Sequence, residues 1–278
     1  MKDYKFEQFN SIYDFENALK RPVNEFFQGN QNSYDKDDKD SENFFGTKNY
    51  SESEKLLLKG WNVKVEEIKK ELKKYETFLQ VKKNKIIKNI AGYAPCVPNA
   101  IRGVPKSMYA IKKVDSKKKN KTVHLVINNT NTHQVSNEDL LKTGMAFLKL
   151  AILLEKNSIR TRIDIVPKMS KKDDSIYGCS VKIKDYNQSF NLLKMAYPLA
   201  HTSFFRRQGF RYFETLSGNM AKFVGGYGIS IVRCENNVKE DYLKSVGLRK
   251  EGIIYLDYND CVKSDYNPEK IYEDYIKK

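Results

Sequence analysis

The sequence predicts an α/β domain: a mostly parallel open sheet with an antiparallel edge strand and flanking helices, preceded by a helical N-terminal extension. Three observations predict it. Val123–Ile127 (VHLVI) and Arg160–Val166 (RTRIDIV) are short, β-branched runs bounded by polar residues, as strands are. Between them residues 136–157 carry a helical repeat, and a strand, crossover helix and second strand form a right-handed parallel unit in nearly all cases. The polar link SKKDDS then leads into Tyr177–Asp185 (YGCSVKIKD), where Cys179, Val181 and Ile183 alternate with polar residues as on a half-buried antiparallel edge.

The central helix is announced by its start. Ser136, followed three residues later by Asp139, has the form of a capping box, and Glu138 and Asp139 place negative charge at the positive end of the helix dipole. Leu140, Leu141, Phe147, Leu148, Ala151, Ile152 and Leu154 then recur at the spacing of a wide apolar face, with Leu148 and Ile152 expected to be buried. Gly144 and Ala151 are small enough to allow a close neighbour, and Asn157 tolerates the left-handed conformation that ends helices.

Three regions are expected along the chain: an arm and linker over 1–50, a helical extension with a Pro/Gly loop over 51–121, and the α/β domain over 122–278. In the first, Phe6, Phe9, Tyr13, Phe15, Phe26 and Phe27 point to an arm that docks on its own domain, and NQNSYDKDDKDSEN reads as a solvated link. From Ser51, Leu56, Leu57, Trp61, Val65, Ile68, Leu72, Tyr75 and Leu79 mark an amphipathic hairpin or a long bent helix interrupted at Gly60. Pro95, Pro98 and Pro105, with Gly92 and Gly103, fix an ordered loop, and DSKKKNK at 115–121, between Tyr109–Val114 and the first core strand, reads as a flexible turn or as the basic lip of a hairpin. Beyond the edge strand a helix begins near Ser189 and is kinked or restarted by Pro198. Strands are expected at 228–234 and 252–258, a short helix between them, and a last helix opened by Pro268.

With 278 residues and 40% apolar content the chain can bury a sizeable core. Cys96, Cys179, Cys234 and Cys261 lack paired metal-ligand spacing, and there is neither a secretory leader nor a run of about 18 apolar residues, so free thiols and a cytoplasmic setting without a membrane partner are expected. The net charge of +15 calls for a polyanionic partner, although a chain so rich in Lys, Asn, Ile and Tyr also reads as the product of biased codon use.

Asn128-Asn129-Thr130-Asn131-Thr132 stands at the carboxyl end of the first core strand, where open sheets bind ligands. This polar turn, the long helix with small residues and the antiparallel strand resemble the von Willebrand factor A-type fold. There a D-x-S-x-S turn binds a divalent ion, so the resemblance implies a degenerate metal site at Asn128, Thr130 and Thr132, with Mg²⁺ the ion in question and no other cofactor. Asn128 replaces the carboxylate with a neutral amide, which forfeits charge attraction. GYAPCVPNAIRGVPKSM, GMAFLKLAILLEKNSIRTRIDIV and LAHTSFFRRQGFRYFE are also similar to a family of uncharacterised bacteriophage proteins, over residues from about 55 to 215. That similarity implies a host-cytoplasmic protein with nucleic acid or another phage or host protein as partner, and no known activity.

Lys117, Lys118 and Lys119, and the aromatic-basic cluster that holds Arg206, Arg207 and Arg211, are the candidate nucleic-acid contacts; the alternative for the arginines is a structural role. No base-reading motif accompanies them. Six such cations neutralising about six phosphates predict a log–log salt slope near −5. His124, His133 and His201 have no zinc-site spacing, and GGYG at 225–228 precedes a strand, where a phosphate loop needs a helix start. The function expected is that of a non-enzymatic binding or accessory protein. The alternative is a metal-dependent phosphodiester-cleaving enzyme using Asp164, Glu214 and Asp257 as hard oxygen ligands.

Overall fold

The structure, a computed structural model, describes residues 4–24, 39–62, 66–67, 70, 85–112, 122–130, 135–157, 159–170, 176–216 and 253–275. Its centre is the predicted unit: β5 (Thr122–Ile127), a 20-residue helix (Asn137–Lys156) and β6 (Arg160–Ile165), with the two strands parallel and Leu125 opposite Ile163. β9 (Ile253–Leu256) lies parallel on the other side of β5. β8 (Ile176–Lys184) runs antiparallel to β6 and to the short β7 (Lys168–Ser170). The sheet is therefore mostly parallel with one reversal, as expected.

β8 is not the edge. β1 (Tyr4–Phe9) pairs with it in parallel, Tyr4 opposite Ile176 through Phe9 opposite Val181, giving the order β1-β8-β6-β5-β9. The N-terminal arm thus supplies an edge strand and a helix, Ile12–Leu19, whose N-cap Ser11 accepts from the Asp14 backbone N–H. Phe9 and Phe15 enter the common core, their ring centroids 5.4 Å apart, and Phe9 meets Tyr212 edge-on at 5.8 Å. Aromatic burial holds the arm down because each large ring removed from water contributes ~2 kcal/mol or more.

The 137–156 helix starts as read. Ser136 Oγ accepts from the Asp139 N–H at 3.1 Å and donates to its carboxylate at 2.8 Å. Phe147, Leu148, Ala151 and Leu154 are fully buried, whereas Ile152 is only half-buried, so the apolar face is centred one position away from it. Asn157 does not enter the left-handed region: at φ −81° its side-chain Nδ2 donates to the Leu153 carbonyl and caps the helix that way. Gly144 faces the helix Leu192–Ala200 so closely that a Cβ would stand 2.2 Å from the Ala200 Cα. Helix Tyr50–Lys59 stops at Gly60, whose φ of +89° and proximity to the Leu193 carbonyl leave no room for a side chain.

Pro198 sits in the last turn of the 192–200 helix, which ends at His201; the chain restarts as a π-helix, Phe204–Gly209, continued by the helix Phe210–Glu214. Two short helices close the described chain, Tyr258–Lys263 and Pro268–Tyr275. The first was unforeseen, although Asp257 and Asp260 form a complete capping box at its start. Among the described residues Tyr109 does not pair with β5. Instead β2 (Lys85–Asn89), β3 (Ala94–Pro95) and β4 (Met108–Lys112) form a separate antiparallel sheet, and the Pro/Gly loop contains one turn of helix, Val97–Ile101. Cys96, Cys179 and Cys261 are buried free thiols. The strand and helix expected at 228–247, the glycines at 225–228 and the apolar repeat beyond residue 70 lie outside the described residues.

Leu148→Ala is expected to cost about 3 kcal/mol or more and Ile152→Ala less than half of that, read as shifts in a denaturant midpoint, because the cavity term follows burial. Gly144→Ala, which drives a methyl into backbone, is expected to cost at least as much as Leu148→Ala.

Candidate functional site at the carboxyl end of the central strand

The turn that follows β5 is held by its own first residue. The Asn128 N–H donates to the Leu256 carbonyl at 2.9 Å, continuing the ladder to β9, and Asn128 Oδ1 accepts from the Thr130 N–H at 3.0 Å. This is an Asx turn, and it commits the amide oxygen that would stand where the metal-binding family has its carboxylate. Thr130 is half-buried beside it; Thr132 lies outside the described residues.

Facing the turn is a hollow of about 30 Å³ lined by Asn128, Asn129, Thr143, His201, Thr202 and Phe205. That is roughly the share of one water molecule in the liquid, so the site fits a water or a small ion and is far below the size of an organic ligand. Its chemistry is neutral. Burial pushes the His201 imidazole down to about 4. Its Nδ1 accepts from the Ser203 N–H at 3.2 Å and lies 2.8 Å from Ser203 Oγ, which leaves Nε2 to carry the proton. Trp61 meets the ring edge-on at 4.9 Å. Ser203 is fully buried and bonds Tyr197 Oη, which also reaches Ser53 and Gln208, so this serine belongs to an interior network and not to a Ser–His nucleophile pair.

The arginines go inward. Arg206 is 3% exposed and Arg207 fully buried. Arg206 donates to the Phe44 carbonyl at 2.8 Å, the Asn137 side chain at 3.1 Å and the Val135 carbonyl at 3.1 Å, and lies over the Phe44 ring at 4.4 Å. Desolvation lowers its pKa to about 10. Arg207 donates to the carbonyls of Thr47 and Lys48 and lies over Phe45 at 4.1 Å. Arg211, half-buried, donates through Nε to the Leu19 carbonyl at 3.0 Å and lines a cavity of about 250 Å³ in which Glu16 and Glu54 balance Arg211 and Lys20, leaving no excess of positive charge for a phosphate backbone. Of the two readings of Arg206 and Arg207, nucleic-acid contact or a structural role, the geometry favours the structural one: both guanidinia lie on backbone carbonyls and aromatic faces. Lys117, Lys118 and Lys119 lie outside the described residues.

The candidate carboxylates are placed apart in role. Asp164, buried in β6, accepts from His124 Nε2 at 2.8 Å and from Arg162, which together hold its pKa below the usual carboxylate range against the cost of burial. Asp257 caps a helix, and Glu214 is buried on the helix that follows the π-turn. Among the described residues no three His, Cys, Asp or Glu side chains gather as a metal site.

The chain is thus an open-sheet α/β domain with a polar turn and a small hollow at the carboxyl end of its central strand. The chain belongs to the family described as a domain of unknown function, DUF7192, whose model matches residues 3–278. No curated protein and no solved structure matches it.

The His201 shift predicts a pH dependence. A histidine near 6.5 when unfolded and near 4 when folded gives the unfolded chain more bound protons between those values, so its stabilising contribution, up to about 3 kcal/mol, is complete above pH 6.5 and lost as pH falls toward 4. Ring NMR signals should show His201 neutral at pH 5.5, and His201→Gln should flatten the fall in melting temperature across that window.

Proposed function

We propose that the protein is a non-enzymatic binding protein of bacteriophage type, built on a von Willebrand factor A-like domain, that works in the host cytoplasm and contacts nucleic acid through a basic surface. The observation that carries the partner is the net charge of +15, which attracts a polyanion whatever its sequence. The domain comparison is supported by the turn at Asn128–Thr130, the 20-residue helix behind it and the antiparallel β8 beside β6.

With Arg206 and Arg207 inside and Arg211 beside two carboxylates, the lysines at 117–119 are left as the proposed contacts. Neutralising about three phosphates gives a log–log salt slope near −3, shallower than six cations would give. Fluorescence-anisotropy titrations on unrelated duplexes from low to physiological salt test this. Charge reversal at Lys117–Lys119 should remove most of the slope for every sequence, and an absence of binding at low salt would defeat the proposal.

The turn is proposed to have lost tight divalent binding, because Asn128 is neutral and its Oδ1 already accepts a backbone N–H. Calorimetry should show no micromolar uptake of Mg²⁺ or Mn²⁺; such uptake, abolished by Thr130→Ala, would show a working site. No observation favours phosphodiester cleavage, since Asp164 is ion-paired within the sheet and Asp257 caps a helix.

A further inference from the structure

The small sheet of residues 85–112 lacks a core. Of its apolar side chains only Cys96 is buried, and its strands pack on one another without joining the common core of the main sheet. Nine large apolar side chains are exposed among the described residues, and seven of them lie here. Ile86 and Ile111 form an exposed cross-strand pair, Ile90 and Tyr93 stand on the loop after β2, and Val97 and Ile101, four residues apart, share one side of the single helical turn. Ile90 is 71% and Ile101 81% exposed. An apolar concentration of this kind on so small a unit marks a surface built to be covered.

The charge says what covers it. Residues 85–112 hold five Lys or Arg and no Asp or Glu, and Lys88, Arg102 and Lys106 are exposed among the apolar side chains. A second copy would bring like charges together. Of the seven exposed apolar side chains only Tyr93 has a flat face on which a base stacks; the other six are branched aliphatics, so the patch as a whole suits lipid better than nucleic acid. A protein surface intersperses both signs and would set some of its own cations against this face, whereas an anionic leaflet presents one sign throughout. We propose that this small sheet docks on an anionic phospholipid surface, with Ile90 and Ile101 entering the headgroup layer and the cations facing lipid phosphates. Among the described residues no helix is long and apolar enough to cross a membrane, so the docking is from one side, and it departs from the sequence expectation of no membrane partner in that respect alone.

The test is flotation of the full chain with vesicles of phosphatidylcholine alone and of phosphatidylcholine with phosphatidylglycerol. Flotation is expected only with the phosphatidylglycerol vesicles and should weaken with salt. The double variant Ile90→Ser, Ile101→Ser should partition about tenfold or more less tightly, while its far-UV spectrum, melting temperature and duplex-DNA titration stay as in the parent, since both side chains are solvent-exposed. Arg102→Glu should weaken flotation by about fivefold or more. No flotation with anionic vesicles would overturn the proposal. So would flotation of the double variant at parental strength, because the attraction would then be charge alone, and so would loss of DNA binding together with flotation in that variant.

Discussion

The architecture depends on three arginines that satisfy carbonyls at the ends of N-terminal segments. A helix leaves its last four carbonyls without intrahelical partners and carries partial negative charge there. Arg206 donates to Phe44 O in the last turn of helix Lys39–Phe45, and Arg211 donates to Leu19 O at the last residue of helix Ile12–Leu19. Arg207 takes the carbonyls of Thr47 and Lys48 just after the positive-φ Gly46. The three arise from one short stretch because the π-helix Phe204–Gly209 widens the turn and runs directly into the helix Phe210–Glu214. The same stretch presents Gln208 to Tyr197 and Ser53, tying helices 50–59 and 192–200 to it. Isolated guanidinia are expensive to bury, and here the aromatic faces of Phe44 and Phe45 and the helix-end carbonyls replace the lost water.

Much of this was legible in the sequence where a local signal and a global need agreed. Ser136 and Asp139 fixed the start of the central helix, the β-branched runs at 123–127 and 160–166 gave the parallel pair, and Gly144 and Gly60 marked a close approach and a stop. The misses have physical causes. Tyr4–Phe9 pairs with a strand some 170 positions away, and nothing in six residues specifies which edge they join. An arginine pair among aromatics reads alike whether it faces phosphate or backbone carbonyls, because both offer acceptor oxygens to a guanidinium. Asn157 suits two kinds of helix end, and only the carbonyl of Leu153 chose between them. Asp257 and Asp260 did carry a signal for the helix they begin, hidden by the strand immediately before it.

At the carboxyl end of β5 the sequence located the turn, and the structure added its opposite wall. His201, Thr202 and Phe205 reach the hollow from a helix end some seventy residues later, brought there by the Gly144–Ala200 contact. A neutral imidazole, neutral amides and a hollow of one-water size describe a site that holds a turn in shape.

The central claim is that the arginine cluster is an internal clamp. Arg207→Met tests it most directly, followed by thermal unfolding and by hydrogen exchange resolved over residues 39–60. The account predicts a loss of about 3 kcal/mol or more, from carbonyls left buried without donors, with exchange protection lost first over residues 44–57 while the strands of the main sheet keep theirs. An unchanged melting temperature with unchanged protection, accompanied by weaker DNA binding, would contradict it and return Arg207 to the surface.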